Sequence, residues 1–176
     1  MLAARIEAQV RELGLAGAVR LPGFVQYEAL PRYYGLASAF VHASTSEQWG
    51  LVVNEAMASG LPVIVSHRCG CAPDLVKPGV NGFTFDPEDV VELAGLMHRV
   101  AAMADAQRHA MGEASRQIIA DWGPDRFAEG LIKAVDVARS RPVPEANWFD
   151  RRLLAALIHR PRGGRSPAVA GAGDRG

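Results

Sequence analysis

Two glutamates, Glu47 and Glu55, stand eight positions apart, and the residues around them predict that one carboxylate lies in a loop and the other on a helix. The preceding run Ala39–Ala43 is short and apolar, as buried strands of parallel sheets are. Leu51–Ser59 is an apolar run of good helix formers, and the tripeptide Gly60–Pro62 ends it. The pattern therefore indicates a loop between a strand and a helix, with an acidic side chain on each side of the helix start.

This helix start is suited to binding an anion. The next apolar run, Pro62–Ser66, predicts a second buried strand and completes a βαβ unit. In such units ligands bind beyond the carboxyl ends of the strands and above helix N-termini. The first N–H groups, from Gly50 to Val52, lack intrahelical partners and, with the helix dipole, favour a phosphate. Because Gly50 has no Cβ, a ligand can approach the backbone closely.

The two carboxylates extend this anion site into a site for a sugar nucleotide. Glu55 falls in the second helical turn, where its Cβ leans back toward the N-terminus, so it can accept hydrogen bonds from both hydroxyls of a ribose. Glu47, in the loop, can accept from sugar hydroxyls beyond the phosphates. The alternative is that both glutamates are merely solvated and fall at this spacing by chance. The Trp49-Gly50 helix start and the Gly60–Pro62 exit favour the ligand site.

With these residues in place, the chain resembles the carboxyl-terminal domain of a GT-B glycosyltransferase, and more narrowly the retaining group 1 (family 4) class. The resemblance covers about residues 19–91. The motifs that carry it are, in chain order, Val19–Val25, the E-x7-E pair Glu47 and Glu55, Ala56–Ile64, Ala72–Val76 and Lys77–Phe83. Two departures are Cys69-Gly70-Cys71, where the class often has a Gly pair, and Trp49, where Phe is commoner.

The resemblance implies transfer of a sugar from a UDP- or GDP-sugar to an acceptor with retention of configuration, without a metal or a cofactor. It implies that Glu55 binds the ribose and that Glu47 binds the donor sugar and serves as the catalytic residue. The remaining donor-binding residues that it implies are Gln48, Trp49, Gly50, Leu51 and Val52, and the residues lining the nucleobase are Gly23, Phe24 and Val25.

The predicted fold class is α/β, a partial Rossmann-like parallel sheet with flanking helices. The four strand candidates are Val19–Leu21, Ala39–Ala43, Pro62–Ser66 and Gly82–Phe85. The family domain has six strands, so we expect that the first two strands and the N-terminal acceptor-binding domain are missing, and that this fragment is inactive alone. We expect a partial nucleotide-sugar-binding domain over residues 1–140, a linker and basic amphipathic helix over 141–160, and a disordered tail over 161–176.

The apolar periods and helix end signals predict helices over the remaining segments. The expected ranges are Leu2–Leu13, Tyr27–Leu36, a helix that starts at Asp86–Asp89 and continues to Val100, Asp105–Asp121 and Asp125–Arg139. Pro31 can lie in the first turn of the predicted helix Tyr27–Leu36. We favour a core role over a ligand platform for the neighbouring pair Tyr33 and Tyr34.

The composition limits the classes of partner that the protein can bind. The 176 residues carry a net charge of zero, which gives no electrostatic case for nucleic acid. The two cysteines are not a disulfide framework, and no apolar run approaches the roughly 20 residues of a membrane helix. We therefore expect a cytoplasmic protein. The basic amphipathic segment Asn147–His159 either docks on the missing domain, which we favour, or lies on the inner face of a membrane.

Other candidate sites and functions are weaker. His67, Cys69 and Cys71 could contact a metal, but structural zinc usually has four ligands and wider cysteine spacing. His42, on a predicted buried strand, fits a satisfied core histidine better than a catalytic base. A non-catalytic nucleotide-binding or interaction module and a sugar-nucleotide epimerase share the expected architecture. The loop-plus-helix glutamate pair favours a transferase over an epimerase.

Overall fold

The computed structural model describes residues 2–141 and 147–158. The chain divides into two compact units, Met1–Glu129 and Gly130–Gly176. The first unit contains a parallel sheet in the order β1-β2-β3, made of β1 (Phe40–His42), β2 (Val63–Ser66) and β3 (Gly82–Phe85). This α/β architecture confirms the predicted fold class.

The helices follow the predicted order. They are α1 (Leu2–Glu12), a 3-10 turn (Tyr27–Ala29) that runs into α2 (Leu30–Leu36), α3 (Leu51–Ala58), α4 (Ala72–Leu75), α5 (Val90–Ala101), α6 (Asp105–Ala120), α7 (Pro124–Ser140) and α8 (Trp148–Ile158). Pro31 lies in the first turn of α2, as predicted. Asp89 caps α5 by accepting a hydrogen bond from the Glu92 N–H at 2.8 Å. Among the helices of residues 2–141 and 147–158, only the short α4 has no counterpart in the predicted set.

The predicted strand Val19–Leu21 is wrong. These residues have no strand conformation, and the side chains of Val19 and Leu21 are 37% and 47% exposed. A strand forms only where its N–H and C=O groups pair with a neighbour. Within the described residues the sheet ends at β1 on one side and β3 on the other, and this segment pairs with neither edge.

β2 is the centre of the fold because both of its faces are buried. All four of its residues are buried. Its side chains alternate between faces, so Val63 and Val65 pack in one apolar cluster with α3, and Ile64 packs in a second with Phe83 and Phe85. This burial on both faces is what the continuous apolar run in the sequence predicts for a parallel sheet.

A buried asparagine shapes the turn that leads into β3. The Asn81 side chain donates to the Leu75 carbonyl at 3.0 Å and accepts from the Lys77 N–H at 2.7 Å. These two bonds satisfy a fully buried amide and close the loop of residues 77–81.

The C-terminal end of α3 packs directly against α6. A Cβ added at Gly112 would lie 2.0 Å from the carbonyl oxygen of Gly60. Three residues further along α6, the buried Ser115 hydroxyl donates to the Leu61 carbonyl at 2.7 Å. Small side chains on α6 therefore set the distance between the two helices.

In the second unit, α8 confirms the predicted helix as far as Ile158; His159 and the predicted disordered tail over 161–176 lie outside the described residues. The rings of Trp148 and Phe149 at its start meet edge to face, with centroids 6.0 Å apart. No helix in residues 2–141 and 147–158 has the length and apolar character needed to cross a membrane.

We expect Gly112→Ala to lower the free energy of unfolding by roughly 1–3 kcal/mol, because the added methyl group meets backbone rather than a movable side chain. Urea unfolding followed by circular dichroism measures this change. Gly95→Ala in α5 is the matched control, since its Cβ would meet no atom within 4 Å. There we expect a gain of about 0.5–1 kcal/mol. Equal effects of the two substitutions would contradict the packing described here.

Candidate functional site

The loop that carries Glu47 is held by its main chain. The Gly70 N–H donates to the Glu47 carbonyl at 3.0 Å, and the Cys71 N–H donates to the Trp49 carbonyl at 3.1 Å. A Cβ at Gly70 would lie 1.8 Å from the Gln48 carbonyl oxygen, so only glycine allows this approach. The segment after β2 thus fixes the loop that leads into α3.

The start of α3 presents unpaired backbone donors. Gly50 adopts the left-handed conformation at φ 99° and is the residue before the helix. Its carbonyl accepts the first helical bond, from Val53 N–H at 2.8 Å. Within the described part of the chain, no protein acceptor receives the N–H groups of Leu51 and Val52. Such a helix start attracts an anion through its free amides and its dipole.

Trp49 braces the loop with its side chain. The indole N–H donates to Asn54 Oδ1 on α3 at 3.1 Å, and the ring packs on Trp122 with centroids 5.3 Å apart. The Arg126 guanidinium lies 4.1 Å from the Trp122 ring centroid and covers that ring. Because the indole and the carbonyl are engaged with protein groups, the main-chain N–H is the part of Trp49 that is left for a ligand.

Glu47 lies beside His42, the last residue of β1. Glu47 Oε2 is 3.9 Å from His42 Nε2, and the glutamate side chain is 36% exposed. His42 Nε2 is buried and has no hydrogen-bond partner among the described residues, while its ring stacks on Phe40. The predicted satisfied core histidine is therefore wrong: the imidazole is only partly buried, and no described residue forms a hydrogen bond with its buried Nε2.

Glu55 is held by a tyrosine of α2. The Tyr34 hydroxyl donates to Glu55 Oε2 at 2.8 Å. Burial, and then this hydrogen bond to a carboxylate, raise the pKa of the Tyr34 phenol to about 12. The pair borders a cavity of about 200 Å³. The lining residues of this cavity are Tyr27, Leu30, Pro31, Tyr34, Glu55 and Ser59.

The two cysteines are buried free thiols in the apolar core. Burial raises the pKa of Cys71 to about 11, and it also raises the pKa of Cys69. Both sulfurs therefore stay protonated at neutral pH, whereas a metal ligand or a nucleophile needs the thiolate. In residues 2–141 and 147–158, no three His, Cys, Asp or Glu side chains are arranged to hold a metal ion.

The residues predicted to line the base lie on the segment before the 3-10 turn. Gly23 has a φ of 74°, Phe24 is 88% exposed and Val25 is partly buried. Among the described residues, no hydrogen bond or ring contact joins them to Glu47 or Glu55. Gln48, Trp49, Gly50, Leu51 and Val52 lie on the loop and helix start between Glu47 and Glu55 in the chain, and the residues predicted to line the base have no described contact with either glutamate.

Comparison with known proteins gives the family. The profile described as "Glycosyl transferases group 1" matches residues 2–118. The chain belongs to the group 1 glycosyltransferases. A D-inositol 3-phosphate glycosyltransferase of Thermobifida fusca is 34% identical over 122 residues, which are 69% of this chain and 28% of that protein. The chain thus spans under a third of the length of that relative.

Solved structures agree with this group 1 assignment. A sucrose-phosphate synthase from Thermosynechococcus elongatus aligns with a TM-score of 0.66 and 31% identity over 78% of this chain and 35% of that chain. Anabaena HepE, solved in complex with UDP-glucose, aligns with a TM-score of 0.64 and 26% identity over 74% of this chain and 36% of that chain. Both support the GT-B type of α/β fold.

Two neighbours of the site have contacts that the sequence does not predict. The sequence predicts a core role for Tyr34, and its ring does pack there, but its hydroxyl reaches Glu55. The sequence predicts a satisfied core histidine at His42, whose Nε2 lies near Glu47 instead. The periodic pattern of apolar residues in a strand or helix indicates whether a ring is buried. It does not indicate which carboxylate the polar atom of that ring contacts.

The phenol of Tyr34 provides a direct test of its bond to Glu55. The chain has three tyrosines, so Tyr27→Phe/Tyr33→Phe leaves only Tyr34 to titrate. The pKa of the Tyr34 phenol rises from 10.0 in the unfolded chain to about 12 in the fold. The stabilisation of the folded state by the protonated phenol is therefore present below pH 10 and is lost as the pH rises toward 12. We expect half-ionisation near pH 12, measured by ultraviolet absorbance with circular dichroism as the check on folding.

Adding Glu55→Gln to that variant should lower the pKa of Tyr34 only in part, because burial, the larger cause, remains. A titration curve that Glu55→Gln leaves unchanged would contradict the bond.

Proposed function

We propose that this chain is the donor-binding part of a retaining glycosyltransferase, which transfers a sugar from a UDP- or GDP-sugar to an acceptor. The observation that carries the proposal is the start of α3, where the free N–H groups of Leu51 and Val52 lie between the Glu47 loop and Glu55. The complex of the similar Anabaena HepE with UDP-glucose supports a nucleotide-sugar donor.

In this proposal the diphosphate binds at the start of α3. Phosphate oxygens accept from the amides that no protein group uses, and the left-handed Gly50 lets them approach without a side chain in the way. The partial positive charge of the helix N-terminus offsets the diphosphate charge. The residues of this step are Gln48, Trp49, Gly50, Leu51 and Val52, with Trp49 contributing its main chain.

The two carboxylates bind the two sugars of the donor. Glu55 accepts from the ribose hydroxyls, since Tyr34 is the only described residue that donates to its side chain. Glu47 accepts from hydroxyls of the transferred sugar and is the catalytic residue, because a carboxylate stabilises positive charge that develops at the sugar carbon during transfer. The base lies along Gly23, Phe24 and Val25.

We infer that a domain outside this chain holds the acceptor and that α8 docks on that domain. On its own, this chain binds the donor and does not complete the transfer. The aligned part of this chain covers 28% of the Thermobifida fusca relative. Release of UDP from UDP-glucose by the purified 176-residue chain in the presence of an acceptor sugar would contradict this inference.

Saturation-transfer NMR with UDP-glucose and GDP-glucose tests the donor site. We expect Glu55→Ala to remove saturation of the ribose protons and Glu47→Gln to weaken that of the glucose protons. Each loses hydrogen bonds to a charged group, which corresponds to roughly tenfold or more in affinity. Comparing the two nucleotides, which carry the same sugar, identifies the preferred base.

The matched control is Glu7→Gln on the exposed face of α1, which should leave all signals unchanged. Ribose signals that persist in Glu55→Ala at wild-type strength would remove Glu55 from the site.

A further inference from the structure

We propose that Tyr34 is a positioning residue of the donor site: its hydroxyl, 2.8 Å from Glu55 Oε2, holds that carboxylate in the orientation that receives a ribose diol. The inference rests on the proposed function, because it concerns the same site. It adds to the site a residue of α2, Tyr34, which lies 21 positions before Glu55 in the sequence.

The hydroxyl of Tyr34 comes from a ring that the core holds in place. The Tyr34 ring packs on the first core cluster and meets the Phe40 ring at a centroid distance of 6.0 Å and an angle of 58°. Tyrosine has few rotatable bonds, and here the ring is partly buried. The donor to Glu55 is therefore preorganised by packing, so it does not have to be ordered when a ligand binds.

Glu55 needs such a partner because nothing else orients it. Across the described residues its side chain has one hydrogen-bond donor, Tyr34, and forms no ion pair with a cationic side chain. A free glutamate samples many rotamers, and ordering it on binding weakens affinity. With Oε2 held by the phenol, Oε1 and a remaining lone pair of Oε2 point in a defined direction, which suits two vicinal hydroxyls.

The substitution Tyr34→Phe isolates this role. It removes the hydroxyl and keeps the ring, so the packing on Phe40 and the wall of the cavity of about 200 Å³ stay as they are. The neighbouring Tyr33→Phe is the matched control, since Tyr33 is half exposed and forms no hydrogen bond among the described residues.

Calorimetric titration with UDP and with UDP-glucose gives the primary result. We expect Tyr34→Phe to weaken both ligands about tenfold, because both carry the ribose and the Glu55 side chain, no longer held, must be ordered when either ligand binds. Tyr33→Phe should leave both affinities unchanged. Unchanged affinity in Tyr34→Phe would overturn the positioning role.

A second variant separates positioning from a merely structural effect. In a Glu55→Gln background, Tyr34→Phe should cause little further loss, because the two residues act as one unit. The preference for UDP over 2′-deoxy-UDP should also shrink in Tyr34→Phe, since the ribose hydroxyls lose an oriented acceptor. Equal losses with and without Glu55, or an unchanged preference, would overturn the proposal.

The controls also distinguish this proposal from the one on which it rests. If the wild-type chain binds UDP-glucose and Tyr34→Phe binds it equally well, only the role of Tyr34 fails. If the folded wild-type chain binds neither UDP- nor GDP-sugars, the donor site itself fails, and the role of Tyr34 fails with it.

Discussion

The Glu47 loop depends on two main-chain hydrogen bonds to the segment after β2. Gly70 and Cys71 donate to the carbonyls of Glu47 and Trp49, and the absence of a side chain at Gly70 allows the two backbones to meet. Because the acceptors are main-chain atoms, these two bonds do not depend on the Glu47 side chain that the loop presents, and the Trp49 side chain adds a second support. The start of α3 and the Glu47 side chain take their positions relative to the sheet from this contact.

Both ends of α3 are fixed by close backbone contacts. At its start the left-handed Gly50 joins it to the loop, and at its end the Gly60 carbonyl lies against Gly112 of α6. Between these ends, Val53 and Met57 are fully buried in the core. A helix held in this way gives Glu55 and the free amides a rigid support, which is what a preorganised binding site requires.

The aromatic side chains around the site share one arrangement, in which the ring belongs to the core and the polar atom meets α3. Trp49 packs on Trp122 and donates to Asn54, while Tyr34 packs on Phe40 and donates to Glu55. Buried tyrosine and tryptophan usually find a partner for their polar atom. Here the hydrogen bonds of Trp49 and Tyr34 connect the loop and α2 to α3, the helix that carries the candidate site.

The sequence by itself determined most of the helices, the three paired strands and the glycine at the start of α3, since apolar periodicity and end signals act over a few neighbouring residues. It also indicated the family. Only the tertiary structure decided that Val19–Leu21 forms no strand, that Tyr34 bonds Glu55, and that His42 Nε2 is buried without a partner. A strand needs an adjacent edge, and a polar atom needs a partner from a distant part of the chain. Both depend on how the elements pack, which no local pattern encodes.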